Sequence, residues 1–195
     1  MKKIILSVIL ILALLTSLIA CNNDDKSVYD TLNDLTKESY SKIQLDITTV
    51  TEGIELKANY TLTASKVDYS VEQLSLLPTD GDLGNVSEEY KTTVKGTATI
   101  ENGKVTSFNN EEVNLPQYDE LKGHFDFKES YFTNIKDEDG RFSADVTSNT
   151  GFLGTDKALN DVKVVVEYNN DALKTIKVIY ETATSTVTSV YSFEK

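Results

Sequence analysis

Cysteine is nearly missing from this chain. Cys21 stands alone among 195 residues, so no intramolecular disulfide can form and the fold must hold by its core. A chain of this length buries about 70% of its unfolded surface, enough for one domain without staples. Histidine and arginine also occur once each, as His124 and Arg141. With so few nitrogen and sulfur ligands the usual zinc sets are excluded, and a lone arginine disfavours a bidentate clamp for phosphate or carboxylate. Basic charge is scarce: 19 Lys and Arg stand against 31 Asp and Glu, a formal net charge of −12. That balance opposes nucleic acid and attraction to an anionic membrane surface. The two prolines and nine scattered glycines form no glycine-rich phosphate loop. Tryptophan is absent, and ten tyrosines and seven phenylalanines supply the aromatic bulk.

Long apolar runs are missing as well, except at the start. "MKKIILSVILILALLTSLIAC" has basic Lys2 and Lys3, an apolar stretch from Ile4 to Leu15 and small Ala20 before Cys21. This is the layout of a secretory signal over residues 1–20. The competing reading, an uncleaved anchor from Ile4 to Ala20, sits at the short end of a bilayer span of roughly 17–25 residues. Leu18-Ile19-Ala20-Cys21 resembles the lipobox of bacterial lipoproteins. The resemblance implies a diacylglycerol on the Cys21 sulfur, cleavage before Cys21 and acylation of the new α-amino group. It places the protein at the cell membrane, lipid-anchored on the extracytoplasmic face. One acyl chain holds a protein only marginally, whereas two or three hold it stably.

Residues 21–27 read as a polar tether and 28–195 as one β-rich domain. Ser27 is a candidate N-cap, and Val28, Leu32, Leu35 and Ser39 or Tyr40 recur at helical spacing, predicting a helix over 28–41. The period then changes to two. Ile43, Leu45 and Ile47 alternate with polar residues, and after Glu52-Gly53 so do Ile54, Leu56, Ala58, Tyr60 and Leu62, as expected of antiparallel strands with one wet face. Val67, Tyr69 and Val71 make a third strand. Asn102-Gly103 marks a hairpin with a type I′ turn, and a helical turn is expected near Pro116. Phe125 and Phe127 suggest another strand, with a bulge where the run through Tyr131 and Phe132 slips phase. Phe142–Val146 and three closing strands, Val162–Tyr168, Leu173–Tyr180 and Val187–Phe193, bring the count to about nine. The expected fold is mainly β: one N-terminal helix packed on a curled antiparallel sheet or half-barrel.

Catalytic and metal chemistry find no footing. A nucleophile–histidine pair would need His124, which the pattern "GHFDF" puts on the wetter face of its strand. The carboxylate-rich loops fail as EF-hands, which want oxygen ligands early and glycine at the sixth position. Counting from Asp80 that position is Asn85, and from Asp137 it is Phe142. No catalytic residue, metal or cofactor is therefore expected, and no enzymatic activity. Apolar residues do collect in the three irregular stretches. Leu76 and Leu77, Leu115, and Phe152 and Leu153 read either as loops packed on a sheet edge or as lids over an apolar cavity.

A leading helix, a long meander and irregular lids, closed by "KVVVEYNNDALKTIKVIYETATSTVTSVYSFEK", resemble the LolA/LppX-like lipoprotein-carrier fold in element order. The resemblance implies a membrane-tethered binder of a lipid or other hydrophobic ligand. The alternative is a surface lipoprotein that presents a β-surface to a protein partner.

Overall fold

The computed structural model describes residues 26–75, 91–102, 104–107, 114–155 and 159–195. Helix α1, Val28–Lys37, is followed by strands β1 Lys42–Thr51, β2 Ile54–Thr63, β3 Lys66–Ser75, β4 Lys91–Glu101 and β5 Lys104–Ser107. Short α2, Tyr118–Leu121, and a 3-10 turn, Glu129–Tyr131, lead to β6 Phe132–Glu138 and β7 Arg141–Val146. Short α3, Asn149–Leu153, precedes β8 Asn160–Tyr168, β9 Leu173–Glu181 and β10 Ser185–Glu194. All ten strands form one antiparallel sheet in the order β5-β4-β3-β2-β1-β10-β9-β8-β7-β6. It is an open, curled sheet: β5 and β6 are its edges and do not pair with each other. Two meanders are thus zipped together by β1 and β10, whose register runs from Lys42↔Glu194 to Thr51↔Ser185.

The turns follow from backbone chemistry. Gly53 at φ 77° and Asn102 at φ 53° occupy left-handed positions that glycine and asparagine tolerate best. Gly140, at φ 75°, has a second constraint, because a Cβ there would lie 2.7 Å from the Tyr168 carbonyl oxygen.

Helix α1 starts where expected: Ser27 Oγ accepts from the Asp30 N–H, which satisfies one orphan donor of the first turn. It ends about one turn before residue 41. Tyr40 keeps the helical spacing yet lies beyond the helix, buried, because its groups are used elsewhere. Its phenol donates to the Leu35 carbonyl at 2.9 Å and accepts from the Leu173 N–H at 3.0 Å. Its own N–H and C=O both bond the Tyr118 phenol, at 2.8 and 2.6 Å. Two tyrosines thus tie the end of α1 to α2 and to the start of β9. Tyr40→Phe strands the buried Leu173 N–H and leaves the Leu35 carbonyl only its bond from the Glu38 N–H, and is expected to lower stability by about 1–3 kcal/mol in urea unfolding. An unchanged midpoint would show the clasp to be energetically idle.

Residues 123–128 do not form the strand that Phe125 and Phe127 suggest. The segment is extended, but its backbone bonds α1 and α3 instead of a ladder: Gly123 N–H reaches the Thr36 carbonyl and Asp126 N–H the Phe152 carbonyl. The Asn33 side-chain amide takes both backbone groups of Phe127, at 2.7 and 2.8 Å. The bulge falls slightly later than expected, between Thr133 and Lys136 of β6, where Asn134 adopts φ 52°.

The core lies on the inner face of the sheet, under α1 and residues 114–155. Leu32 and Leu35 of α1 are buried there in one cluster with Phe127, Phe132, Phe142 and Phe152. These rings meet mostly edge to face, at centroid distances such as 5.2 Å for Phe127–Phe152 and 5.4 Å for Phe132–Phe142, the geometry favoured by their quadrupoles. The outer face is polar and carries the ion pairs, among them Lys57–Glu55, Lys66–Asp68 and Lys91–Glu72.

Candidate functional site, an apolar trough on the inner face

Among the described residues, the helix and its neighbours fill only part of the inner face. Cross-strand partners share a face, so the register reads as rows of side chains across the sheet. One row runs Ala144, Val164, Val178, Ser189, Ile47, Ala58, Val71, Val94. Seven of these eight are apolar, and Ser189 is the exception. Ala144, Val164 and Val178 are buried in the core, whereas at the far end Val94 is 55% exposed. The row passes from packed core to open surface.

A cavity of about 290 Å³ opens where the packing ends. Val178 and Ser189 lie in it beside Tyr180 and Tyr191, with Leu153, Thr155, Leu159 and His124 across from them. Flanking the row on one side are Tyr191, Leu45, Tyr60 and Tyr69, which are successive cross-strand partners. On the other side stand Val187, Thr49 and Leu56. Gly96 pairs with Tyr69, and its missing side chain makes room: a Cβ there would clash with the Tyr69 ring. The result is a trough with an apolar floor and a tyrosine wall.

Its electrostatics are uniform. Among the described residues, the inner-face positions of β1–β4, β9 and β10 hold no Asp, Glu, Lys or Arg, and the charges of these strands occupy outer-face positions. Ser189 is 6% exposed, and among the described residues its hydroxyl has no hydrogen-bond partner. Burial pushes the Tyr191 phenol up to about 12, with the Tyr180 charge adding to it, and raises Tyr180 in the same direction. His124 stands exposed at the cavity mouth, its ring 5.0 Å from Phe125. Partial desolvation lowers its pKa from the ordinary value, opposed by the charge of Glu120.

The tyrosine shift carries a pH consequence. Folded Tyr191 keeps its proton above the unfolded value of about 10, so the folded state binds more protons in that window. Stability is expected to be unaffected by this group below about pH 10 and to fall as pH rises toward 12. Tyr191→Phe should flatten that alkaline slope. An identical slope in the variant would mean that Tyr191 titrates normally.

The residues expected as lids divide. Leu153 lines the cavity. Phe152 is fully buried in the aromatic core, and Leu115 is partly buried against the same core. Leu76, Leu77 and Cys21 lie outside the described residues. Sequence reasoning passed over Ser189, Tyr180 and Tyr191. The signal was present in Val187-x-Ser189-x-Tyr191-x-Phe193, a polar residue in an otherwise apolar alternation.

Among the described residues no group of His, Cys, Asp or Glu is placed to hold a metal ion, and no helix is long and apolar enough to cross a membrane. No protein-family model and no curated protein matches the chain.

Proposed function

We propose that this chain is a membrane-anchored lipoprotein of the bacterial envelope, without enzymatic activity, that binds a lipid or other hydrophobic ligand on the inner face of its curled sheet. The observation that carries the binding half is the register that sets Ser189 of the cavity beside Ile47, where the apolar row to Val94 begins. Ligand sites are concave and mostly apolar with a few placed polar groups, and this trough has that composition. The anchoring half rests on Leu18-Ile19-Ala20-Cys21, with acylated Cys21 holding the domain through the tether to Ser27 on the extracytoplasmic face.

Two measurements test the two halves. Mass spectrometry of material taken from membranes is expected to show an N-terminal peptide beginning at acylated Cys21. An unmodified Met1 or a free thiol there would sink the anchor. A fluorescent acyl probe is expected to bind the protein and to be displaced by unlabelled hydrophobic ligand. Absence of probe binding would remove the ligand reading. It would favour the second one, a β-surface for a protein partner, to which exposed Ile54, Leu56 and Val94 also lend themselves.

A further inference from the structure

Charge is distributed too unevenly over this sheet to leave the ligand's chemistry open. The protein is strongly acidic, yet every charge on β1–β4, β9 and β10 is at an outer-face position. A carboxylate or phosphate entering the trough would leave its hydration shell and, among the described residues, meet no lysine or arginine in return, which is costly. The polar groups described in the cavity are hydroxyls and one imidazole: Ser189, buried and unpartnered among the described residues, Tyr180, Tyr191 and Thr155 around it, and His124, whose desolvation favours the neutral ring. A buried hydroxyl without a partner is itself unfavourable, so a ligand that hydrogen-bonds Ser189 gains what the free protein lacks. The cavity, at about 290 Å³, lies at the small end of ligand sites and suits one chain rather than several.

Resting on the reading that the trough binds a hydrophobic ligand, we propose that this ligand is an uncharged single-chain amphiphile. Its hydroxyl or ester group meets Ser189 and Tyr191, and its hydrocarbon lies along Ile47, Ala58, Val71 and Val94. The recognised chemistry is a neutral hydrogen-bonding group joined to one alkyl chain, as in a monoacylglycerol.

The full-length chain in membrane vesicles can be tested with a matched pair of photoreactive probes, a 1-acylglycerol and the fatty acid of the same chain, at neutral pH. The neutral probe is expected to label the protein about tenfold more efficiently, with adducts on peptides carrying Ile47, Ala58 and Val71. Ser189→Ala should cut that labelling about fivefold and leave the urea midpoint level or higher, because it removes a buried group that has no partner among the described residues. Loading the probe in the bilayer or in the buffer separates a membrane lipid from a soluble amphiphile, and labelling from either supports the proposal. Equal or stronger labelling by the fatty acid overturns it, as does a Ser189→Ala variant that loses stability while its labelling stays intact. Labelling by neither probe removes the hydrophobic-ligand reading and this proposal together.

Discussion

Phe127→Ala is expected to lower the stability of the fold by about 3–5 kcal/mol, the range for deleting a fully buried ring. Phe127 is 1% exposed and meets three other rings: Phe132 at 5.9 Å, Phe142 at 6.0 Å and Phe152 at 5.2 Å. Each of these packs on at least one of the others, and Tyr29 of α1 joins through Phe132 and Phe142. Such a closed cluster cannot collapse easily into the space a ring leaves, so the cavity term adds to the lost transfer energy. Each kcal/mol shifts the melting temperature by about 2–4 °C at this chain length, so a drop of roughly 10 °C is the expected reading. The informative control is Leu56→Ala. Leu56 lies on the inner face of the sheet that Phe127 covers elsewhere, but in the open trough, 36% exposed, and its loss should cost under about 1 kcal/mol. Equal losses at the two sites would contradict a sheet filled at one end and open at the other.

The second large effect is expected at Asn33. Its amide donates to the Phe127 carbonyl and accepts from the Phe127 N–H, taking the place of a neighbouring strand for a segment that has none. Asn33→Leu keeps the helix and the approximate volume but leaves both backbone groups unsatisfied. With each group worth about 1–3 kcal/mol and the site only partly buried, a total loss of about 2–4 kcal/mol is expected. Hydrogen exchange gives the sharper readout: the amide of Phe127 should lose protection in the variant while those of β1 and β10 keep theirs. Uniform loss across the sheet would mean that Asn33 acts on global stability and not on this segment.

The β-hairpins were legible because their causes are local. Alternation at Ile54, Leu56, Ala58, Tyr60 and Leu62 shows which face each residue takes, and Gly53 and Asn102 occupy turn positions that need left-handed backbone. The misreadings arose where a non-local partner outbid a local pattern. Phe125 and Phe127 alternate like strand residues and are buried like them, but Asn33 supplies the hydrogen bonds of Phe127. Tyr40 has helical spacing, yet the Leu35 carbonyl and the Leu173 N–H draw its phenol into the seam between helix and sheet. Among the expected lids, Leu153 and Phe152 are neighbours in sequence that the turn of α3 separates, one at the cavity and one in the core.

By itself the sequence determined the mainly β class, the capped N-terminal helix and the polarity of each strand's two faces, since all three depend on residues within a few positions of one another. It also holds the signature on which the proposed anchor at Cys21 rests. Only the tertiary structure decided that β1 lies beside β10, which sets Ile47 opposite Ser189 and joins two apolar half-rows into one trough. The reason is physical: side-chain alternation is a local property of a strand, whereas register between strands far apart in the chain is settled by the packing of the whole sheet.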